Sequence, residues 1–202
     1  GGNPTRGLNA PILQNPVLQI SRRFSPYISA TSLKGKLRNI AEIIFERPLK
    51  RKFGTTIALY RHECDSPAQA KECPVCFLFG ASSGSGKDMP EGNVNKNFDG
   101  RLLFRNAPLK PSTDEIKEAE LKIENTLKRL RREANPRSLE RVPRNAVFAF
   151  HVDYSVYDDE SDPACVKKHL SDLIGCLRFL ENYYIGGNGS RGYGKIRFSD
   201  IQ

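Results

Sequence analysis

Apolar residues recur every third or fourth position in two stretches of this chain and alternate in a third. Leu33, Leu37, Ile40 and Ile44 keep helical spacing behind Thr31 and Ser32, either of which can cap the first turn. Glu46, Arg47 and Pro48 end that helix. Leu170, Leu173, Ile174 and Leu177 make the apolar face of a second helix, opened by Asp162-Pro163 and closed across Tyr183–Gly189. Phe148, Phe150, Val152, Tyr154 and Val156 alternate with Ala149, His151, Asp153 and Ser155, the period of a half-buried strand over 147–157. Arg101–Asn106 and Lys195–Phe198 read as shorter strands, and the two prolines within 11–20 make that stretch extended or turn-like. Residues 112–133 carry a helical signature too: a capping box from Ser112 and Glu115, then Ile116, Ile123, Leu127 and Leu130. Helices beside strands predict an α+β fold with helices on one face of a sheet. A ferredoxin-like or RNA-recognition-like core fits, with its first strand missing from this chain.

Residues 61–100 break the pattern. They are polar and Gly/Ser-rich, and Gly80–Gly100 is expected to be a mobile loop. The GSGK at 84–87 lacks the spacing of a phosphate loop. His62-x-Cys64-x8-Cys73-x2-Cys76 is more specific. Four ligands of this softness within so short a stretch suit a closed, tetrahedral, structural zinc site. The alternative is a set of reduced thiols beside an exposed histidine. Metal binding would fold a polar loop that has no core of its own. Cys165, His169 and Cys176 share a predicted helix; a second metal site is the alternative, but they read as packing residues. No hydrolytic triad can be assembled from His62, His151 and His169.

Charge adds a partner class. The 202 residues carry 32 basic and 23 acidic side chains, for a net charge of +9. Residues 1–60 hold ten basic and two acidic groups, so this third is strongly positive, a face suited to phosphates. Lys34, Lys36 and Arg38 crowd the first helix around Gly35, which costs it about 1 kcal/mol relative to Ala. Close approach of another backbone would justify that cost. The segment Gly186–Gly194 has five glycines, with Arg191 able to fork onto a phosphate and Tyr193 able to stack on a base. A basic run around Lys128, Arg129, Arg131 and Arg132 leads to Arg137 and Arg141. A hydrophobic content of 38% excludes wholesale disorder, and no apolar run is long enough to span a membrane. Five cysteines, odd in number and clustered, with no apolar leader, point to the reducing cytoplasm. The chain opens without Met, its only one being Met89, as expected of a trimmed or excised piece.

Several blocks together resemble the backbone group of RAMP proteins, the repeated subunits that line type III CRISPR effector complexes. They are the opening Gly1-Gly2 with Asn9-Ala10-Pro11-Ile12; SLKGKLR from Ser32 to Arg38; CPVC from Cys73 to Cys76 running into Phe77-Leu78-Phe79-Gly80; Glu124-Asn125; Asn135-Pro136-Arg137 with Glu140-Arg141-Val142-Pro143; and GSRGYGK from Gly189 to Lys195. They keep the family's order across nearly the whole chain. SLKGKLR and GSRGYGK are typical of RAMPs generally, whereas the cysteine block and ERVP narrow the match.

The resemblance implies one RAMP domain over 1–202, with a zinc-bearing, flexible insertion at 61–100 and a thumb at 112–143. It implies that Lys34, Lys36, Arg38, Arg129, Arg137, Arg141, Ser190, Arg191 and Tyr193 contact a CRISPR guide RNA. The other partners are a complementary target RNA, neighbouring RAMP units and further type III subunits, in antiviral defence and without a membrane. Active members cut the target at regular intervals with a divalent cation, magnesium or manganese, and a loop Asp. Here that catalytic position reads Asn9, and an amide can neither bind the cation as a carboxylate does nor accept a proton. The endoribonuclease activity of the family is therefore expected to be lost in this copy. The family's usual Asp in the block after Glu124-Asn125 is also replaced, by Lys128. The thumb conflicts with the helical signature of 112–133, and the extended form is preferred because periodicity is a weak prior against tertiary context. Two other readings are a RAMP nuclease that processes the precursor guide RNA and a non-enzymatic, zinc-dependent scaffold. A unit cut from a fused single-chain effector is equally compatible.

Overall fold

The computed structural model describes residues 19–20, 25–53, 59–82, 97–111, 119–128, 133–157 and 162–201. Asn9, Arg129, the GSGK at 84–87, most of the expected loop at 80–100, the Ser112/Glu115 box and the place of the first strand lie outside the described residues. The elements run β1 (Gln19–Ile20), β2 (Ser25–Ile28), α1 (Ala30–Ile44), β3 (Arg51–Phe53), β4 (Leu59–Arg61), α2 (Pro67–Glu72), α3 (Pro74–Phe79), β5 (Leu102–Phe104), β6 (Ala107–Pro108), β7 (Glu120–Lys128), β8 (Glu133–Arg141), β9 (Val152–Tyr154) and α4 (Pro163–Glu181). The chain divides into two compact units, one of residues 1–29 and 105–151, the other of 30–104 and 152–202. No helix among the described residues is long and apolar enough to cross a membrane.

The second unit holds the helices. α1 buries Leu33, Leu37, Ile40 and Ala41, the face that its spacing predicts, although Ile44 is partly exposed. Each such buried aliphatic contributes about 1.5–3 kcal/mol relative to exposure. α4 starts at Asp162, whose carboxylate accepts the Ala164 N–H, and buries Leu173, Cys176, Leu177 and Leu180. α1 packs on α4, α3 and β5, so the core lies among these four elements. Cys176 sits in that core, and burial pushes its thiol up to about 11. His169 also packs, its ring 4.2 Å from that of Phe77 and its Nδ1 bonded to the Tyr154 hydroxyl at 2.9 Å.

Three expectations change. The polar stretch after Arg61 is not coreless: Val75, Cys76, Phe77, Leu78 and Phe79 are all buried, because α3 turns a short apolar run into the core shared with α1 and α4. The strand expected over 147–157 is confined to Val152–Tyr154, paired antiparallel with β5, while Phe148 makes a single bridge to Leu109 within the first unit. Lys195–Phe198 forms no ladder among the described residues; the Phe198 N–H is taken instead by the Glu181 carboxylate at 2.7 Å. Beside Gly35, a Cβ would meet nothing within 4 Å among the described residues, which leaves room for another backbone.

The first unit holds the antiparallel order β1-β2-β6 and, separately, the hairpin β7-β8. Over Glu120–Lys128, the described part of the helix suggested for 112–133, the chain takes the extended form instead. Nine residue pairs, from Glu120↔Arg141 to Lys128↔Glu133, make an unbroken ladder. Ile123 and Leu127 fit a helical period only by coincidence. Leu121, Ile123 and Asn125 are exposed on one face, while Leu139 on the other is buried beneath the cross-strand pairs Arg137–Glu124, at 2.9 Å, and Arg141–Glu120. Pro136 also biases Asn135 towards extended backbone.

Candidate functional site

Two proline-opened turns place the cysteines. The Ser66 hydroxyl accepts the Gln69 N–H and Pro67 begins α2, since proline suits a first turn whose N–H has no helical partner. Cys73 ends α2 by donating its N–H to the Ala70 carbonyl, and starts α3, where its carbonyl accepts the Phe77 N–H at 2.8 Å. Cys76 follows one helical turn later, so both thiols face the same way. His62 and Cys64 arrive directly after β4.

The four ligand atoms lie within 4.8 Å of one another. His62 Nε2 is 3.2 Å from Cys73 Sγ and 3.6 Å from Cys64 Sγ. A tetrahedral ion at usual Zn–N and Zn–S lengths has ligand–ligand edges of about 3.5–3.8 Å, so the cluster is the right size for a metal ion. Nδ1 of His62 lies 3.2 Å from the Pro48 carbonyl, which can only accept. The ring proton therefore sits on Nδ1 and the Nε2 lone pair faces the thiols. Burial, then the neighbouring Cys73, raises the Cys64 thiol. A hydrogen bond from Cys76 holds Cys73 well below the usual thiol range, and donating that bond, together with burial, pushes Cys76 up. A bound cation would draw all three thiols to thiolate.

Around the cluster runs a charged network with no counterpart in the sequence-based expectations. Arg38 donates from Nη2 to the His62 carbonyl and from Nη1 to the Gly80 carbonyl, both at 2.8 Å, and from Nε to Glu42 at 3.4 Å. Glu42, only 4% exposed, accepts the His62 N–H at 3.1 Å. The Glu63 carboxylate is buried between Arg61 and Arg38 and takes the Ser82 hydroxyl. Arg38, expected on RNA, is thus spent inward, its side chain 12% exposed. The available signal was Glu42 following Arg38 by four residues, next to the buried Ile40 and Ala41.

The other expected RNA contacts fall into two places. Lys34 and Lys36 stand on the first turns of α1; burial, and then the charge of Arg38, lowers Lys34. Lys36 Nζ lies 3.9 Å from the Tyr183 ring centre and 4.4 Å from that of Tyr184. Tyr184 in turn lies so close to Gly189 that any side chain there would overlap its ring. The basic half of α1 and the glycine segment are thereby joined within one unit. Ser190 and Arg191 form an exposed 3-10 turn, followed by the half-buried Tyr193. Gly194 has φ +74°, and a Cβ on it would sit 1.9 Å from the Ile185 carbonyl oxygen, so glycine is required there by packing. Arg137 and Arg141 belong to the hairpin and pair with its glutamates.

The RAMP superfamily model matches residues 2–197. The CRISPR system Cms endoribonuclease Csm3 of Methanothermobacter thermautotrophicus is 35% identical over 207 residues, covering 97% of this chain and 74% of that protein. The protein of the same name from Streptococcus thermophilus is 31% identical over 202 residues, covering 96% and 76%. Among solved structures, a chain of a Type IV-B CRISPR complex superposes with a TM-score of 0.53 at 13% identity, covering 92% of this chain and 82% of its own, a likeness of fold alone. On its sequence and its mixed helix-and-sheet architecture, the chain belongs to the RAMP superfamily.

Proposed function

We propose that this chain is a guide-RNA-binding backbone subunit of a type III CRISPR effector complex, from the group that cuts complementary target RNA, and that Asn9 leaves it deficient in cutting. The observation that carries the reading is the 35% identity, along nearly the whole chain, to a protein named as a CRISPR endoribonuclease. Lys34, Lys36, Ser190, Arg191 and Tyr193 contact the guide, with Arg129, Arg137 and Arg141 on a thumb spanning 112–143. Neighbouring RAMP units and other type III subunits complete the assembly in the cytoplasm. The space that the described residues leave open beside Gly35 supports a close approach by the RNA backbone. His62, Cys64, Cys73 and Cys76 hold a structural zinc, for which one histidine and three thiolates are a usual donor set.

The chemistry at position 9 is electrostatic. A carboxylate there would help hold magnesium or manganese, which would supply charge neutralisation near the scissile phosphate. Asn9 keeps the shape and removes the charge. In the assembled complex with labelled target RNA, Asn9→Asp gives divalent-dependent cuts at regular spacing, with RNA affinity unchanged. Equal, vigorous cutting with Asn9 in place refutes the assignment. Gly35→Ala raises stability by about 0.5–1 kcal/mol while weakening guide binding. Unchanged binding would remove Gly35 from the RNA face.

A further inference from the structure

We infer that Arg38 and Glu42 of α1 are positioning residues of the metal centre, setting its affinity by holding His62 and the end of the helix that carries Cys76. The inference rests on reading the four-residue cluster as a zinc site. His62 lies outside any helix or strand, so no ladder fixes its backbone. Glu42 accepts its N–H and Arg38 donates to its carbonyl, so one ion pair fixes both backbone groups of the ligand. The Pro48 carbonyl, just beyond α1, fixes the ring proton. The same guanidinium reaches the carbonyl of Gly80, whose own N–H closes α3 onto the Cys76 carbonyl at 2.8 Å. Arg38 therefore bridges the two chain segments that supply the ligands. Only a planar, forked donor spans three such acceptors, and a lysine ammonium does not.

The placement is costly, which is why it is informative. Glu42 occupies the buried side of α1 next to Ile40 and Ala41, while Glu46, one turn on, is exposed. A carboxylate removed from water is tolerated when every lone pair it turns inward is used. The use here is orientation of a ligand, and partners outside the ligand shell commonly set metal affinity in this way. As a consequence α1, which carries Lys34 and Lys36, and the metal site stabilise each other.

The test uses the full chain. Zinc affinity is measured by competition with a chromophoric chelator, and cobalt(II) absorption reports the ligand geometry. Metal-free thermal unfolding is recorded alongside. Arg38→Lys and Glu42→Gln should each weaken zinc binding by about 10–100-fold and alter the cobalt bands. Glu42→Gln, which keeps an acceptor for the His62 N–H, should lose less than Glu42→Ala, and it carries the test if Arg38→Lys does not fold. If zinc affinity in both variants stays within about twofold of the unaltered chain, and only metal-free stability falls, the pair is merely structural and the inference is overturned. If the unaltered chain takes up neither zinc nor cobalt, the zinc reading itself is wrong and the inference falls with it.

Discussion

The metal corner and the β7-β8 hairpin use polar residues in opposite ways. In the corner they point inward: His62, Cys73, Cys76 and Glu42 are buried, and His62 meets Cys73 and Glu42, which lie 11 and 20 positions away. In the hairpin they pair across one ladder, as Arg137 does with Glu124 at 2.9 Å, while Leu121 and Ile123 stay exposed. A buried cluster of thiols and imidazole depends on an ion to neutralise it, and so stands or falls with that ion. A two-stranded ladder depends on backbone bonds and a few side chains, so it is individually weak but indifferent to metal. Strength in the one comes from chemistry, in the other from repetition.

The sharpest way to break this contrast is to remove the ligands. Cys73→Ser with Cys76→Ser should lower zinc from about one ion per chain to none, since the site needs four ligands. Hydrogen exchange should then quicken over residues 62–80 and remain slow across the ladder from Glu120 to Arg141. Full zinc retention would sink the metal assignment.

Acid should remove the same ion reversibly. Protons compete for the thiolates, and Cys64 and Cys76, whose thiols are raised, are the readiest to take them back. The unfolded chain then binds more protons than the metal-bound fold, so stability falls as the pH falls. Zinc release followed by chelator absorbance should therefore rise on acidification, whereas the hairpin's exchange pattern should not change with it. Release that grows as the pH rises would contradict the thiolate ligand set.

Within the hairpin, Leu139→Ala should cost about 2–4 kcal/mol, because Leu139 is the buried apolar residue beneath its charged face. Zinc content should be unaffected, and a coupled loss of zinc would erase the distinction between the two regions. The smallest effect belongs to Arg137→Ala. Its pair with Glu124 is partly exposed, so chemical denaturation should register about 0.2–1 kcal/mol, shrinking further with added salt. A loss several times larger would mean that this pair carries the hairpin.

The cluster of His62, Cys64, Cys73 and Cys76 was legible because its spacing is itself the signal: soft donors crowded into one short stretch suit few tasks besides holding an ion. α1 and α4 were legible for a similar reason, since Leu33, Leu37 and Ile40, or Leu173 and Leu177, repeat often enough to define a face. The hairpin was not, because Ile123 and Leu127 satisfy a helical period as well as an extended one, and the choice between them belongs to β8. Lys195–Phe198 failed likewise: alternation is present, but Glu181 supplies the partner that a neighbouring strand would have supplied.

Local residue order was enough to specify the two long helices, the donor set, and the basic blocks at Lys34–Arg38 and Gly189–Lys195. Each depends on residues close together in the chain. The tertiary structure decided the task of Arg38, the burial of Glu42, the fate of the apolar run in α3 and the union of Lys36 with Tyr183 and Tyr184. The physical reason is reach. A guanidinium on a basic helix looks ready for phosphate until folding brings the carbonyls of His62 and Gly80 within 2.8 Å, and those acceptors come from residues 24 and 42 positions away.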